Sequence, residues 1–262
     1  WVTGRWALVP LAGPASRQGR VAADVICGRP ARYRGTQGTA VVGLFGLTLA
    51  ATGANEKRLA AAGMPFKKSY THSLDHAGYY PGAAQISVKL LYEGQSGRLL
   101  GAQAVGAAGV DKRIDILSMA IQKGATIFDL EEAELCYAPQ YGSAKDPVNI
   151  AGFVAANALR GDLEVVHWED WDARGRQGDA PLLLDVRPPA MIAASGETPG
   201  TIKIPLGELR NRLEELPRDA EIWVHCSVGQ TSYYANRILL QHGFRVANLS
   251  GGFTSLKMRG GA

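Results

Sequence analysis

The sequence predicts an α+β unit followed by an α/β unit with a parallel sheet, and three observations support this fold class. The chain has 262 residues, which is enough for about two domains. In its first part, strand patterns joined by a hairpin turn precede helical patterns. In its second part, strand and helical patterns alternate, and this alternation is typical of a parallel sheet.

The strands of the first unit are predicted from apolar runs and turn signals. Residues 39–51 have the composition of one buried strand, and residues 55–63 form a short helical pattern that ends at a glycine. Two further strand patterns, 85–93 and 98–106, flank Gly-Gln-Ser-Gly at 94–97. That tetrapeptide is a hairpin turn signal, so we expect these two strands to pair.

Helical patterns begin and end the first unit. Near the start of the chain, Ser16 is a possible N-cap of a short helix. Residues 109–124 carry apolar side chains at helical spacing and end at a glycine. The last helix has Asp146 as its N-cap, Pro147 in its first turn and Gly161 after its end. The unit is therefore predicted to end near residue 161.

The second unit is predicted over residues 182–262, after a charged linker at 162–181. Its strand patterns end in Leu-Leu-Leu-Asp, in Lys-Ile-Pro and in Val-His-Cys, and helical segments lie between them. The chain begins at Trp1 rather than Met and stops abruptly after a glycine-rich stretch. We therefore expect a fragment that lacks an N-terminal part and is truncated within its last domain.

Composition limits the classes of function. The three cysteines are too sparse for a disulfide framework and form no Cys-x-x-Cys pair, which indicates a reducing, cytoplasmic setting without a structural metal. The most apolar run, 39–53, is too short and too rich in Gly and Thr to cross a membrane.

The net charge is +4, and the excess lies near the start of the chain, where only Asp24 offsets Arg5, Arg17, Arg20, Arg29, Arg32 and Arg34. Because no aromatic binding motif accompanies this basic cluster, an anionic small molecule or a partner domain is favoured over nucleic acid.

Cys226 lies where a predicted strand becomes a helix. A thiol at the carboxyl end of a parallel strand occupies the edge at which α/β proteins bind ligands. The small-residue loop and the helix start that follow would surround the sulfur with N–H donors and favour the thiolate. Such a thiolate can carry a transferred sulfur atom as a persulfide, whereas a cysteine in the middle of a strand would be a buried filler.

Four segments of the second unit resemble the rhodanese family of sulfurtransferases: 182–191, 197–209, 224–232 and 248–253. The resemblance implies that Cys226 is the sulfur carrier and that Asp185 and Arg187 are supporting, structural residues. It also implies an anion-binding loop made of Ser227, Val228, Gly229, Gln230, Thr231 and Ser232. The family often has Arg at the position of Thr231 and His at that of Glu197, so a neutral or larger persulfide donor is expected in place of thiosulfate.

The first unit contains no dinucleotide fingerprint, no phosphate-binding P-loop and no obvious nucleophile. Tyrosines cluster in two predicted loops, 76–82 and 136–147. They either plug these loops against a core or donate a proton or hydrogen bond to a thiolate. The basic residues at 111–113 either meet a phosphate or form a solvated first helical turn. Residues alone leave these alternatives open.

Residues 1–161 resemble the C-terminal part of the pyridine nucleotide–disulfide oxidoreductases, in particular the coenzyme A-disulfide reductase branch. The similar motifs are Leu-Val-Pro-Leu-Ala-Gly-Pro, Tyr-Tyr-Pro-Gly-Ala and Glu-Leu-Cys-Tyr-Ala-Pro-Gln-Tyr-Gly. The resemblance implies that 1–35 is the remnant of an FAD domain and that 36–161 is a dimerisation domain. A rhodanese domain that follows is typical of coenzyme A-disulfide and persulfide reductases.

This second resemblance also implies cofactors, partners and roles. FAD, NAD(P)H and coenzyme A would serve a homodimer, and the reactive cysteine would belong to an FAD domain absent from this sequence. Cys27 lies past the flavin contact, and Cys136 is interpreted as an apolar filler. Tyr79 and Tyr137 would approach the partner's reactive cysteine and the coenzyme A sulfur. The implied flavin contacts are Leu11, Ala12, Gly13, Pro14, Pro139, Gln140 and Tyr141, and the implied coenzyme A phosphate contacts are Lys112 and Arg113.

Three hypotheses remain open from the sequence. The leading one is the C-terminal portion of an FAD-dependent coenzyme A-disulfide or persulfide reductase. The second is a sulfurtransferase that works alone with a dimerisation module. The third is a non-catalytic dimerisation scaffold, whose only support is Thr231 in place of Arg. Nucleic acid and membrane partners are not expected.

Overall fold

The computed structural model describes residues 1–260 and divides the chain into two compact units. One consists of Trp1–Lys68 and Leu74–Phe153, and the other of Ser69–Ser73 and the chain from Val154 onward. This division after Phe153 precedes the predicted boundary near residue 161. The predicted end of the second domain, residue 262, lies outside the described residues.

The first part of the chain forms a five-stranded sheet with helices. Its strands lie in the order β1-β2-β5-β4-β3, and the β1–β2, β2–β5 and β4–β5 pairs are antiparallel. The strands are β1 (Ala40–Leu44), β2 (Leu47–Gly53), β3 (Lys67–Leu74), β4 (Gln85–Tyr92) and β5 (Leu99–Gly106). The helices are α1 (Ala12–Ile26), α2 (Glu56–Ala62), α3 (Val110–Lys123), α4 (Ile127–Glu131) and α5 (Pro147–Arg160).

Several predicted elements of this unit are confirmed. The β4–β5 hairpin forms around the predicted turn. Helix α3 buries Ile114, Leu117 and Ile121 and ends at a glycine in the left-handed conformation. At the start of α5, Asp146 Oδ1 accepts the Val148 N–H at 3.0 Å, which is the N-cap that the sequence predicts.

Two predictions for the start of the chain are wrong. Ser16 lies inside α1, which begins at Ala12 with Leu11 as its N-cap. The expected single buried strand is instead a hairpin, because Phe45 and Gly46 both have positive φ angles, 50° and 78°, and turn the chain back on itself. Strand β1 is exposed along its whole length, so its apolar composition does not reflect burial. Strand β3 and helix α4 are additional elements.

The second unit is a parallel sheet flanked by helices, as predicted. Its strands lie in the order β6-β10-β9-β7-β8, and the β6–β10, β10–β9, β9–β7 and β7–β8 pairs are all parallel. The strands are β6 (Val165–Val166), β7 (Leu182–Asp185), β8 (Ile202–Lys203), β9 (Glu221–His225) and β10 (Arg245–Leu249). The helices are α6 (Trp168–Arg176), α7 (Pro189–Ser195), α8 (Leu206–Leu209), α9 (Gln230–Gln241) and α10 (Gly252–Met258).

The stretch that the sequence suggests as a linker, 162–181, contains folded elements of this unit. Strand β6 pairs with β10, and helix α6 follows it. Trp168 is 1% exposed and packs with Trp223 and Leu249 on one face of the sheet. The charged residues around Trp168 mask this packing in the sequence, since they occupy the outer face of a short helix.

A larger apolar cluster covers the other face of the parallel sheet. It includes Leu184, Val224, Ala235 and Leu239, all fully buried. This cluster fixes α9 against β9 and therefore fixes the connection between them, which is the loop that carries Cys226. Among the described residues, no helix is long and apolar enough to span a membrane.

Candidate functional sites

Cys226 follows the last residue of β9, and α9 begins four residues later at Gln230. The Cys226 residue is 2% exposed, because its carbonyl accepts the Phe253 N–H at 2.8 Å and the loop after β10 covers it. The predicted strand–loop–helix placement of the thiol is thus the observed one. The N-cap of this helix is Gly229.

Two donors of the loop face the sulfur atom of Cys226. The Gly229 N–H donates to Sγ at 3.2 Å, and the Ser232 hydroxyl lies 3.5 Å from Sγ. The same hydroxyl lies 3.1 Å from the Gly229 carbonyl oxygen, so it can turn its proton toward either acceptor. Donors at the N-terminus of a helix stabilise an anion. The loop is therefore built to hold negative charge on sulfur.

Glycines allow this close packing of main chain around the cysteine. A Cβ atom on Gly252 would lie 2.4 Å from the Cys226 carbonyl oxygen and 3.0 Å from the Gly229 nitrogen. Gly229 itself has a φ of 97°, a conformation that side chains disfavour. The loop after β10 thus supports the cysteine loop through backbone contacts that only glycine permits.

Asp185 and Arg187 form a buried ion pair at the end of β7. Arg187 Nη2 donates to Asp185 Oδ2 at 2.6 Å, and both side chains are 1% exposed. The remaining guanidinium contacts go to the Ser195 hydroxyl at 2.7 Å and the Gly196 carbonyl at 3.0 Å. The arginine therefore ties β7 to the end of α7, which agrees with a supporting role.

His225 precedes the cysteine and is fully buried. Its ring lies 5.4 Å from the Trp168 ring and 6.2 Å from the Phe253 ring, and neither ring nitrogen has a hydrogen-bond partner among the residues that the structure describes. Burial lowers the pKa of His225 to about 4. The imidazole is therefore neutral near neutral pH and acts as an aromatic filler beneath the loop.

The side chains around the cysteine loop are mostly uncharged. The Ser227 hydroxyl donates to the Met191 sulfur at 2.8 Å, and Met191 is 45% exposed. Thr231 lies in the first turn of α9, at the position where the related family often has Arg. Glu197 is paired with Lys203. The contact of Met191 with this loop is a feature that the sequence did not indicate.

In the first unit, the structure brings the two tyrosine clusters together. The hydroxyl oxygens of Tyr79 and Tyr137 lie 3.1 Å apart, although the two residues are 58 positions apart in the sequence. Tyr79 is 78% exposed and Tyr137 is 49% exposed, so neither is a plug against the core. The hydrogen bond with Tyr137 raises the pKa of Tyr79. The pair is a hydrogen-bonded phenol cluster at the surface.

Arg113 lies behind this pair rather than at the surface. Its Nη2 donates to Asp146 Oδ2 at 2.8 Å and to the Asp75 carbonyl at 2.6 Å, and its Nη1 donates to the Gly109 carbonyl at 3.1 Å. The residue is 1% exposed. This arrangement does not fit the expected contact with a phosphate, because the Arg113 guanidinium would have to break its ion pair with the buried Asp146 carboxylate. Lys112 remains partly exposed in the first turn of α3.

The residues expected near a flavin form two short segments, in which Pro14 is buried and the others are partly or fully exposed. Leu11–Pro14 spans the start of α1, which has no side-chain cap, so its first amides stay available to an acceptor. Gly13 has open space where a Cβ would lie. The second segment, Pro139–Tyr141, contains the largely exposed Gln140 and Tyr141. An uncapped helix start with room beside it fits a polar edge of a cofactor.

The other two cysteines, Cys27 and Cys136, are exposed. The interpretation of Cys136 as an apolar filler is therefore wrong. Its neighbours in the chain form an open loop without regular structure, and this loop leaves the side chain in solvent.

Comparisons with known proteins agree with this division of the chain. Residues 39–146 match the family described as "Pyridine nucleotide-disulphide oxidoreductase, dimerisation domain". Residues 170–259 match the family described as "Rhodanese-like domain". Each of the two candidate sites lies largely or wholly within one of these matches.

Curated relatives match over a little more than half of the chain. A coenzyme A disulfide reductase of Staphylococcus epidermidis is 38% identical over 156 residues, which are 57% of this chain and 34% of that protein. One from Staphylococcus haemolyticus is 40% identical over 150 residues, again 57% of this chain and 34% of that protein. The chain thus spans about a third of the length of these relatives.

Two solved structures match along almost the whole chain. A structure of reduced CoADR-RHD from Bacillus anthracis has a TM-score of 0.92 and 44% identity, covering 98% of this chain and 47% of that one. A NAD-dependent persulfide reductase from A. fulgidus has a TM-score of 0.88 and 40% identity, covering 97% of this chain and 46% of that one. The chain is therefore similar to proteins in which a rhodanese-like domain follows a pyridine nucleotide-disulphide oxidoreductase dimerisation domain.

Proposed function

We propose that the chain serves a flavin-dependent coenzyme A-disulfide or persulfide reductase, in which Cys226 carries sulfane sulfur. The observation that carries this proposal is the position of the Cys226 sulfur, 3.2 Å from the Gly229 N–H at the start of α9. The names of the similar proteins, coenzyme A disulfide reductase and NAD-dependent persulfide reductase, support the reaction class.

The sulfur-transfer step uses the Cys226 thiolate as nucleophile. It attacks the outer sulfur of a donor RSSH, so a bond forms between the two sulfurs and the S–S bond of the donor breaks. The products are Cys226–S–S⁻ and RSH, and the negative charge moves to the new terminal sulfur. The loop donors hold that charge in place. No external oxidant or reductant is required for this exchange.

The uncharged surroundings support a neutral or bulky donor. Thr231 cannot bind an anion bidentately as Arg would, and the mouth of the loop presents the Met191 thioether to the incoming group. Thioethers contact apolar and soft groups well. The donor expected from these contacts is an organic persulfide rather than thiosulfate.

The exposed tyrosine pair supports a second role, at a site completed by groups outside this chain. Two phenols that share a hydrogen bond can donate a proton or hydrogen bond to a departing thiolate. Leu11–Pro14 and Pro139–Tyr141 would hold the edge of FAD, which supplies the electrons when bound, and NAD(P)H would reduce the flavin. Lys112 would contact a coenzyme A phosphate.

We further propose that the chain forms a homodimer through its first domain, as the name of the matching family indicates. Exposed apolar side chains on the β1–β2 hairpin support an association surface, since large exposed apolar patches mark binding sites. They are Val41, Val42, Leu44 and Phe45.

Mass spectrometry after incubation with an organic persulfide tests the sulfur-carrier role. We expect the intact chain to gain one sulfur atom on Cys226 and Cys226→Ser to gain none there. Cys136→Ser is the matched control, since it removes an exposed thiol and leaves the loop intact. Loading that survives in Cys226→Ser, or is lost in Cys136→Ser, would contradict the proposal. Thiosulfate should load the chain far less well than the persulfide.

A further inference from the structure

Residues 75–84 connect β3 to β4 and carry Tyr79; we call this segment the Tyr79 loop. Hydrogen bonds join its two ends. The Asp75 N–H donates to the Ala84 carbonyl at 2.9 Å, and the Ala84 N–H donates to Asp75 Oδ1 at 2.7 Å. Both ends are therefore fixed on Asp75, while Tyr79 lies at the exposed far side.

The His76 side chain spans the inside of this loop. Its Nδ1 lies 2.9 Å from Asp75 Oδ2, and its Nε2 lies 3.3 Å from the Pro81 carbonyl oxygen. The side chain is only 10% exposed. One imidazole thus connects the start of the loop to a position beyond Tyr79.

Both partners of the imidazole are acceptors. A carbonyl oxygen has no proton to give, and an ionised carboxylate accepts only. Each ring nitrogen must therefore carry a hydrogen for both contacts to be hydrogen bonds. Only the imidazolium, with two N–H groups, satisfies both partners at once.

We propose that His76, held as an imidazolium between Asp75 and the Pro81 carbonyl, is a positioning residue that sets the place of Tyr79 beside Tyr137. The residue acts through the loop and does not touch the reacting atoms. Its consequence for reduction rests on the proposed function of the tyrosine pair, whereas the clamp itself requires only the loop.

Contacts around the clamp are arranged to keep it charged. The hydrogen bond that His76 donates to the Asp75 carboxylate raises the pKa of His76, and the carboxyl pKa of Asp75 is lowered, although burial opposes that shift. The Tyr80 ring lies edge-on at 5.8 Å. The Arg113 guanidinium approaches from α3 and donates to the Asp75 carbonyl, and Asp146 neutralises it.

The clamp also joins the Tyr79 loop to the Tyr137 loop. Directly after His76, the Ala77 N–H donates to the Gly142 carbonyl at 2.9 Å and faces the Pro139 carbonyl at 3.3 Å. Those carbonyls belong to the segment that follows Tyr137. The same turn of chain therefore fixes both hydroxyl groups, and its loosening would separate them.

The sign of the pH dependence follows from the raised pKa. The clamp is complete below about pH 6.5, the ordinary histidine pKa, and is lost as the pH rises through the higher pKa of the folded protein. Above that value one ring nitrogen carries a lone pair that faces an acceptor oxygen. The hydrogen bond on that side then fails, and the loop opens there.

Histidine ¹⁵N spectra of the 262-residue chain test the charge state. We expect one imidazole to keep both nitrogens protonated above about pH 6.5, and its signal to vanish in His76→Gln. His72 and His225 serve as internal references, because burial lowers the pKa of each to about 4. A His76 that is neutral at or below about pH 6.5 overturns the proposal.

Amide exchange at Tyr80 tests the positioning role, because its N–H donates to the Ala77 carbonyl at 2.8 Å inside the clamp. Beyond the intrinsic pH effect, protection should fall about tenfold across the His76 titration, as expected for the loss of one charge-assisted hydrogen bond. In His76→Gln, protection should be low at every pH and show no such transition. A transition that persists in this variant overturns the proposal.

Asp75→Asn is the second variant, and it tests the charged clamp if His76→Gln does not fold. Its amide oxygen can still accept from Ala84, and its NH₂ group can donate to the neutral ring, whose Nε2–H then bonds Pro81. We expect the clamp to persist without charge, so Tyr80 stays protected and the pH transition disappears. A pH transition that remains in Asp75→Asn counts against the charged clamp.

None of these measurements involves sulfur chemistry, so their failure is distinguishable from a failure of Cys226 to take up sulfur.

Discussion

The cysteine loop and the tyrosine pair hold their side chains in opposite ways, since one side chain is buried and the other is exposed. Cys226 is 2% exposed and is surrounded by backbone amides, glycines and a helix start, all contributed by the same domain. Tyr79 is 78% exposed and is held from behind by buried ion pairs and a histidine clamp.

The contrast indicates which site is complete within this chain. For the sulfur-carrier role proposed for Cys226, the loop requires only a donor molecule in addition. Two exposed phenols fixed against each other face outward, and the role proposed for them requires a thiol or cofactor from elsewhere. The difference also predicts that the two sites depend on different kinds of residue, with glycine and aromatic packing at one and buried charge at the other.

The largest effect is expected for Arg113 behind the tyrosine pair. Arg113→Met leaves Asp146 buried without its partner and should destabilise the first domain by about 3 to 5 kcal/mol. Lys112→Met, the neighbouring and partly exposed position, should change stability by less than about 0.5 kcal/mol. Denaturant unfolding compares the two variants. Equal effects would show that the expected division between a structural arginine and a surface lysine is wrong.

The next effect is a pH dependence in the cysteine domain. Burial lowers the pKa of His225 to about 4. Between about pH 6.5 and pH 4, His225 therefore binds a proton in the unfolded chain but stays neutral in the folded chain. Stability therefore falls on acidification, by on the order of 3 kcal/mol for this residue.

His225→Phe keeps the aromatic packing and removes this titration. Because His72 has a similarly lowered pKa, the variant should remove about half of the acid destabilisation that the two residues cause. The readout is urea unfolding followed by tryptophan fluorescence at several pH values. An unaltered profile in His225→Phe would mean that the ring is charged or hydrated in the native protein.

Backbone packing around the cysteine is tested by a pair of glycine substitutions. Gly252→Ala and Gly243→Ala both place a side chain at positive φ, 56° and 79°, which costs each about 1 kcal/mol. Only the first also directs its Cβ to 2.4 Å from the Cys226 carbonyl oxygen, whereas nothing lies within 4 Å at the second.

Gly252→Ala should therefore lose about 1 to 3 kcal/mol more than Gly243→Ala and load sulfur more slowly. Thermal unfolding and the rate of mass gain with a persulfide are the measurements. Similar stabilities and loading rates for the two variants would show that the loop after β10 does not support the cysteine loop.

The smallest effect on stability is expected at the tyrosine pair itself. Tyr137→Phe removes the hydrogen bond that raises the pKa of Tyr79, so that pKa should return toward about 10. Stability should change by less than about 0.5 kcal/mol, because both rings are exposed. Ultraviolet titration of the phenols follows the shift, and Tyr141→Phe is the control. A Tyr79 pKa that does not move would indicate that the two hydroxyls are not paired in solution.

Local patterns were sufficient where the signal lies within one element. The β4–β5 hairpin, the buried face of α3 and the Asp146 cap of α5 follow from short-range rules of turn chemistry and helical spacing. The parallel sheet and the position of Cys226 at its edge also follow, because strand and helix patterns alternate on either side of the cysteine. The motifs that resemble rhodaneses and disulfide oxidoreductases predicted the two domain types that the family comparisons match.

Patterns failed where composition and burial disagree. The apolar run at 39–51 predicts one buried strand, but a turn at Phe45-Gly46 makes it an exposed hairpin. The charged stretch around Trp168 predicts a linker, but the tryptophan packs into a core. A sequence shows what a segment is made of, and it does not show which neighbours cover it.

By itself, then, the sequence determined the two-domain order, the parallel sheet and the strand-to-helix placement of Cys226, since each depends on residues adjacent in the chain. Only the tertiary structure decided that Tyr79 meets Tyr137, that Arg113 is committed to Asp146, and that His76 bridges Asp75 and Pro81. Hydrogen bonds depend on distances of a few tenths of an ångström and on the protonation of each partner. Those distances are set by the packing of the whole domain.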